Sequence, residues 1–217
     1  MTRNQKIDPL PDSAAPPGIL LAGGLSRRMG GSDKPLRAIG GRSLLGRVIG
    51  RLAPQCAGLV INANGDPARF EDFALPVIAD SVDGFAGPLA GILAGLDWAA
   101  ANRPNAKFIL TAAADTPFLP RDLVLRLQAA QRETNAPIAV AASGGHSHHV
   151  VALWSIALRE DLHRAVTEEK LKQVSAWISR YSSVIVDWPA VPFDPFFNIN
   201  TPEDIAEAER IAALDGG

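Results

Sequence analysis

The stretch "GILLAGGLSRRMGGSDKP", residues 18–35, joins an apolar run to a loop that contains four glycines and three cationic side chains. Residues 18–22 carry no polar side chain, which is typical of a strand that is covered on both faces. In sheets of parallel strands, ligands bind beyond the carboxyl ends of the strands. The stretch therefore predicts a buried strand that delivers a ligand-binding loop to that edge of a sheet.

Apolar runs and amphipathic stretches alternate along the rest of the chain. The patterns predict strands at 18–22, 58–64, 76–80, 107–115, 137–143, 149–155 and 183–188. They predict helices at 43–53, 87–101, 120–133, 157–166, 171–181 and 201–214, the last with Thr201 as N-cap, Pro202 in its first turn and Asp204 in a capping box. This alternation predicts an α/β protein, with a three-layer αβα Rossmann-like fold and a mostly parallel central sheet.

Length and composition narrow the class of protein. The 217 residues are 47% hydrophobic and carry a net charge of −2, so we expect no broad nucleic-acid surface. No run of 18 apolar residues predicts a membrane span. A single cysteine excludes a disulfide framework and fits a cytoplasmic location. We expect residues 1–17, with four prolines, to be a flexible lead-in to a single domain over residues 18–217.

The loop has the chemistry of a phosphate-binding segment. Gly23 and Gly24 allow close approach of a ligand to the backbone, and cations follow at Arg27, Arg28 and Lys34. Neither the P-loop pattern G-x-x-x-x-G-K-[ST] nor the dinucleotide pattern G-x-G-x-x-G fits the loop. A solvated surface loop is the alternative, but a position directly after the first strand disfavours it.

Residues 21–34, "LAGGLSRRMGGSDK", resemble the signature L-A-G-G-x-S-x-R-M-G-x-x-D-K of the molybdenum cofactor guanylyltransferases. The resemblance extends over nearly the whole chain after the lead-in and implies the nucleotidyltransferase version of the αβα fold. It implies that the loop binds GTP, with Arg28 and Lys34 on the phosphates as catalytic residues. The GTP-binding residues that it implies here are Leu21, Ala22, Gly23, Gly24 and Lys34.

Two further segments resemble nucleotide-contacting motifs of that family. The resemblance places Asn62 of "VINAN" and Asp80 of "VIAD" against the nucleotide. "GPLAGILAGL", residues 87–96, resembles the start of a helix whose glycines allow it to approach the nucleotide. The alternatives are an Asn in a turn, an Asp that caps the next segment, and close packing of the helix on the sheet.

"LTAAADTPFL", residues 110–119, places Asp115 at the end of a strongly apolar strand. A carboxylate at that edge is suited to Mg²⁺, which takes one or two carboxylates together with phosphate oxygens and water. The resemblance also implies that Asp115 is the metal ligand and a catalytic, GTP-binding residue, and Mn²⁺ is the alternative ion. The structural alternative is that Asp115 caps the turn before Pro117.

The segment "FFNINTPED", residues 196–204, resembles the family's N-x-N-T-P-E-D motif. Asn198 and Asn200 are two residues apart, so on an extended segment they face the same way. We expect them to contact either the metal or the phosphate of the pterin substrate. Capping of the helix that follows is the alternative, but it does not require both side chains.

The histidines of "GGHSHHVVALWS", residues 144–155, have no acid or cysteine nearby to complete a zinc site. The family has a His-Pro-Val segment before "LW", and His149 matches its histidine, although Val150 replaces the proline. On this resemblance His149 faces the pterin. The sequence assigns no role to His146 and His148.

The resemblance implies transfer of GMP from GTP to the terminal phosphate of molybdopterin, with release of pyrophosphate. GTP and molybdopterin are then the expected partners, together with transient contacts to other cofactor-biosynthesis proteins or molybdoenzyme chaperones. The alternatives are a cytidylyltransferase for the same pterin, a guanylyltransferase for another phosphorylated acceptor, and a nucleotide-sensing module without catalysis. "LAGG" and "ADTP" favour guanine, since the cytidylyltransferases usually carry L-A-A-G and a Gln-Pro pair at these points.

Overall fold

A computed structural model describes residues 15–23, 34–82, 84 and 87–215. Its central sheet has seven strands in the order β5-β4-β1-β6-β8-β7-β9. The strands are β1 (Gly18–Leu21), β4 (Leu59–Asn62), β5 (Val77–Ile78), β6 (Phe108–Ala113), β7 (Ile138–Ser143), β8 (His146–Ser155) and β9 (Ser183–Trp188). Only β8 is antiparallel to its neighbours among these described strands, which confirms the mostly parallel sheet.

Helices cover both faces of this sheet. They are α1 (Leu44–Leu52), α2 (Pro88–Asn102), α3 (Leu123–Thr134), α4 (Arg159–Thr167), α5 (Val174–Ile178) and α6 (Glu203–Leu214). Buried residues of α1 and α3 pack on one face, and those of α2, α4 and α5 pack on the other. The predicted three-layer αβα arrangement is confirmed.

Successive residues within the strands supply the two cores in turn. In β1, Ile19 faces the layer of α2 and Leu20 faces the layer of α1. Val60 and Ile61 of β4 divide in the same way. Because side chains alternate across a strand, a sheet covered on both faces needs apolar residues at every position, and this explains the continuous apolar runs.

Two glycine pairs form turns that the sequence analysis did not predict. Gly144 and Gly145, at φ of 54° and 80°, join β7 to β8 as a hairpin and extend β8 back to His146. Gly40 and Gly41 join the two-residue strands β2 (Ala38–Ile39) and β3 (Arg42–Ser43) in a small separate sheet. In both turns positive φ is the conformation that favours glycine.

Helices α3, α5 and α6 differ from their predicted ranges. α3 begins at Leu123 and α5 spans only Val174–Ile178, so both are shorter than the patterns indicated. Pro202 is the N-cap of α6, so the prediction of Thr201 in that role was wrong by one residue. The carboxylate of Asp204 nevertheless accepts hydrogen bonds from the backbone N–H groups of Asn200 and Thr201, as the acid of a capping box does.

The described part of the lead-in touches the sheet. Pro16 and Pro17 are buried, and their carbonyls accept hydrogen bonds from Ala57 and Leu110. A third apolar cluster packs α6 against β2 and the loop after β6. Among the described residues, no helix has both the length and the apolar character to span a membrane.

Candidate active site

The candidate site lies where β1, β4 and β6 end. Leu21 pairs in parallel register with Asn62 on one side and Ala113 on the other, so the three strands end level with one another. Asp115 lies two residues beyond the end of β6. Gly23 and Asp115 therefore leave the sheet at the same edge, as the sequence analysis expected, and a small cleft between them is lined by Leu21, Ala22, Gly23, Lys34, Pro35, Ala114 and Asp115.

Lys34 is the polar centre of this cleft. Its ammonium forms an ion pair with Asp115 Oδ2 and donates a second hydrogen bond to Asn200 Oδ1 at 2.9 Å. The side chains of Lys34 and Asp115 are only 14% and 21% exposed. Residues from three distant parts of the chain thus meet, and the ion pair is stronger than one in open solvent because water screens it less.

Asp115 retains a free coordination position. Its Oδ1 is buried and has no hydrogen-bond partner among the described residues. An unpartnered buried carboxylate oxygen is costly and calls for a cation or a donor. No group of three or more His, Cys, Asp or Glu side chains suitable for a metal occurs in the described ranges. The residues present therefore fit an ion that brings ligand oxygens from its substrate, as Mg²⁺ does, rather than an ion held by protein alone.

Asn62 and Asp80 contact each other across the ends of β4 and β5. Asn62 Nδ2 donates to Asp80 Oδ1 at 3.0 Å, and Asn64 Nδ2 donates to Asp80 Oδ2 at 2.8 Å. Asn64 Oδ1 also accepts from the backbone N–H of Asp80 at 2.9 Å. The carboxylate is therefore fixed by two amides. The sequence pattern did not predict this role for Asn64, although Asn64 is the second Asn of the "VINAN" motif.

Gly91 brings α2 against these strand ends. A Cβ at this position would lie 2.3 Å from Asn62 Oδ1 and 2.9 Å from Leu21 Cδ2. A contact below 3.0 Å requires atoms to shift, so only glycine lets the first turns of α2 pack this closely. The amino-terminal end of the helix is consequently near the cleft, where its dipole favours an anion.

The segment before α6 brings Asn200 to the cleft. Ile199 is buried, while Asn198 and Asn200 are exposed on the opposite side of the extended chain. The backbone N–H of Ile199 donates to the carbonyl of Asp115 at 3.2 Å. Hydrogen bonds from the backbone N–H of Asn200 lower the pKa of Asp204, and Lys34 contributes to the same shift.

His148 belongs to a separate cluster on the hairpin. Its Nε2 lies 2.7 Å from Ser143 Oγ, which donates to Asp194 Oδ1 at 2.7 Å. Its ring stacks on Phe196 at a centroid distance of 4.5 Å. Burial lowers the pKa of His148, and His146 and His149 add to this effect while Asp194 opposes it. Ser143 is between the acid and the histidine, so this is not the order of a catalytic triad.

The structure thus joins the predicted residues in two groups. Lys34, Asp115 and Asn200 meet in one, and Asn62 and Asp80 meet in the other, beside Gly23. Asn198 makes no hydrogen bond to either group within the described ranges. Gly24 and Arg28 lie outside the described residues, as do the other residues of the loop from 24 to 33. Pro35 and Ala114 line the cleft without having been predicted.

Comparisons with known proteins agree with this geometry. The family "MobA-like NTP transferase domain" matches residues 18–184. A molybdenum cofactor guanylyltransferase of Rhodopseudomonas palustris is 63% identical over 207 residues, covering 95% of this chain and 99% of that protein. One of Nitrobacter hamburgensis is 60% identical over 200 residues, covering 92% of this chain and 96% of that protein.

A solved structure supports the same fold. The molybdopterin-guanine dinucleotide biosynthesis protein A of Archaeoglobus fulgidus superimposes with a TM-score of 0.71 at 23% identity. The match covers 91% of this chain and 99% of that one. With the fold, the match over residues 18–184 and the full-length relatives in agreement, the chain belongs to the molybdenum cofactor guanylyltransferases of the MobA-like NTP transferase family.

Proposed function

We propose that the chain transfers GMP from GTP to the terminal phosphate of molybdopterin and releases pyrophosphate. The observation that carries this proposal is the meeting of Lys34, Asp115 and Asn200 in a cleft at the carboxyl ends of the strands. The ammonium of Lys34 suits phosphate oxygens, the Asn200 amide oxygen holds that ammonium in place, and the free carboxylate oxygen of Asp115 suits a metal ion that accompanies a polyphosphate. The names of the relatives favour guanine over cytosine.

The reaction places modest demands on the protein. The attacking phosphate oxygen is already ionised, so no serine or cysteine nucleophile is required. Transfer depends on in-line positioning and on neutralising charge at the phosphates. We assign both Lys34 and Arg28 to the phosphate oxygens. Asn200 holds the ammonium in place, and Gly23 lets the nucleotide approach the backbone.

We assign Asp115 to a divalent metal, Mg²⁺ or Mn²⁺. Its free Oδ1 is the position available to the ion, and Asn198 is a candidate for the metal or for the pterin phosphate. When bound, such an ion stabilises the negative charge that develops on the phosphates. Asp115 Oδ1 would hold the ion while Oδ2 keeps its ion pair with Lys34, and the remaining N–H donors of the ammonium would contact the phosphates.

The second group is assigned to the nucleoside. Asn62 is only 3% exposed, so it supports the site mainly by fixing Asp80. Asp80 then presents its carboxylate beside the cleft, and Leu21 and Ala22 provide apolar contact. His149 stays a candidate for the pterin side.

The remaining assignments concern the setting of the reaction. We propose cytoplasmic location and a single domain over residues 18–217, preceded by a lead-in over 1–17 whose Pro16 and Pro17 pack on the sheet. Transient contacts with proteins that supply or accept the cofactor complete the proposal.

The test measures pyrophosphate release by the purified chain with Mg²⁺ and molybdopterin, using GTP and CTP in parallel. Release with GTP that depends on the pterin is expected. Faster release with CTP would contradict the base preference. GTP turnover with a sugar phosphate and none with molybdopterin would contradict the acceptor, and tight GTP binding without release would favour the sensing module.

A further inference from the structure

A second cavity, here named the arginine cavity, contains four guanidinium groups. It is lined by Arg42, Arg47, Gly50, Arg51, Pro117, Arg121 and Asp215. These residues come from β3, from α1, from the loop after β6 and from the end of α6. None of the residues assigned to the candidate active site lines this cavity.

Two of the arginines are deep in the cavity and already engaged. Arg47 and Arg51 are 6% and 9% exposed. Arg47 Nε donates to the carbonyl of Ile39 at 2.9 Å, and Arg51 forms an ion pair with Asp215. These contacts fix the positions of both guanidinium groups and leave donors of each free for a ligand, since an arginine has five N–H donors.

The other two arginines are at the mouth and uncommitted. Arg42 and Arg121 are exposed and form no hydrogen bond or ion pair with any residue of the described ranges. The acids that face the four guanidinium groups are Asp215 and Glu209, and the carboxylate of Glu209 also accepts from the backbone N–H of Gly40. Positive charge therefore exceeds negative charge in the cavity.

Burial and the neighbouring arginines act together on the pKa values of the two buried guanidinium groups. Burial, together with the charges of Arg121 and Arg47, lowers the pKa of Arg51 to about 10. Burial and Arg42 also lower the pKa of Arg47, while Glu209 opposes the shift. Like charges held this close destabilise the fold unless an anion neutralises them. An anion in the cavity would remove that repulsion.

The size of the cavity restricts the anion. Its volume is ≈ 50 Å³. Since about 10–15 Å³ of such volume holds one water molecule, the cavity has room for several waters and not for a nucleoside. Two fixed guanidinium groups inside a space of this size and two at its mouth are suited to tetrahedral phosphate oxygens, which arginines bind in pairs of hydrogen bonds.

We propose that the arginine cavity is a second anion site that binds one phosphoryl group, separate from the candidate active site. Arg47 and Arg51 bind the oxygens inside, and Arg42 and Arg121 close over the mouth. The bound anion links α1, α6 and the loop after β6. Pro117 of that loop is two residues from Asp115, so the site is close to the candidate active site in sequence without sharing its side chains.

The experiment titrates the full chain by calorimetry with inorganic phosphate, with pyrophosphate and with glycerol 3-phosphate. The parent chain should bind phosphate. The double variant Arg42→Gln, Arg121→Gln should bind phosphate about tenfold or more weakly, because each substitution removes charge-assisted hydrogen bonds to the anion. A matched variant with Arg132→Gln and Lys172→Gln removes two exposed cations elsewhere and should stay within about twofold of the parent.

A third variant separates this site from the cleft. Lys34→Gln removes the cation of the candidate active site and should leave phosphate binding at the arginine cavity intact. Binding lost with Lys34→Gln and kept in the double arginine variant would overturn the proposal, as would no binding of phosphate at all. Equal affinity for glycerol 3-phosphate and phosphate would show that the site accepts the phosphoryl group of an organic phosphate. A preference for phosphate or pyrophosphate would identify the free inorganic anion as the ligand.

Discussion

Replacement of Asp115 by asparagine tests the centre of the candidate site. The change keeps the shape of the side chain and removes its negative charge. Lys34 keeps its hydrogen bond to Asn200 Oδ1 at 2.9 Å. The two paired side chains are 14% and 21% exposed, so we expect the free energy of unfolding to fall by about 1–2 kcal/mol, between the values for exposed and buried pairs.

GMP transfer should fall much further than stability in this variant. Loss of one charge contact in the transition state commonly costs about 2.7–4 kcal/mol, or about 100- to 1,000-fold in rate. Initial rates of pyrophosphate release at saturating Mg²⁺ give the rate, and urea denaturation gives the stability. Asp187→Asn, an exposed change on β9 at the far edge of the sheet, is the matched control and should leave both unchanged. A rate for Asp115→Asn within about threefold of the parent enzyme would refute the assignment.

Two further changes probe the surroundings of the cleft, and a third probes the His148 cluster on the hairpin. Asn200→Ala removes the hydrogen bond to Lys34, so kcat should fall by about tenfold with little change in melting temperature. Gly91→Ala should raise KM for GTP because its Cβ displaces Asn62, and calorimetry should show weaker GTP binding. Burial lowers the pKa of His148, so the unfolded chain takes up the proton first and the free energy of unfolding falls as pH drops below 6.5. Urea denaturation of His148→Gln at successive pH values should show that its free energy of unfolding falls less steeply with decreasing pH than that of the parent. A fall as steep as the parent's would contradict a lowered pKa for His148.

Local patterns were sufficient for much of the fold. The predicted strand at 107–115 and the predicted helix at 87–101 are present as β6 and α2, with ends displaced by only one or two residues. Both depend on the period of apolar residues, which is a local property. The hairpin between β7 and β8 was missed, although Gly144 and Gly145 are a turn signal, because the predicted second strand began at His149 and left the turn too long.

The sequence pattern did not predict the order of the strands in the sheet. β8 pairs between β6 and β7 and is antiparallel to both, so the strand that follows β7 along the chain lies between it and β6. Strand pairing depends on contacts between distant segments, and a buried apolar run fits many positions in a sheet. The arginine cavity is similar, because Arg121 is far from Arg42 and Arg51 along the chain and no spacing pattern connects them.

The sequence by itself determined the layer type of the fold, the family and the edge of the sheet at which the site lies. These follow from the period of the apolar residues and from a contiguous motif, both of which are read along the chain. Only the tertiary structure decided that Lys34 pairs with Asp115, that Asn200 supports the same ammonium and that Asn64 fixes Asp80. The physical reason is that an ion pair or hydrogen bond depends on separations of a few ångströms in space, and chain distance does not set these separations until the strands have been ordered.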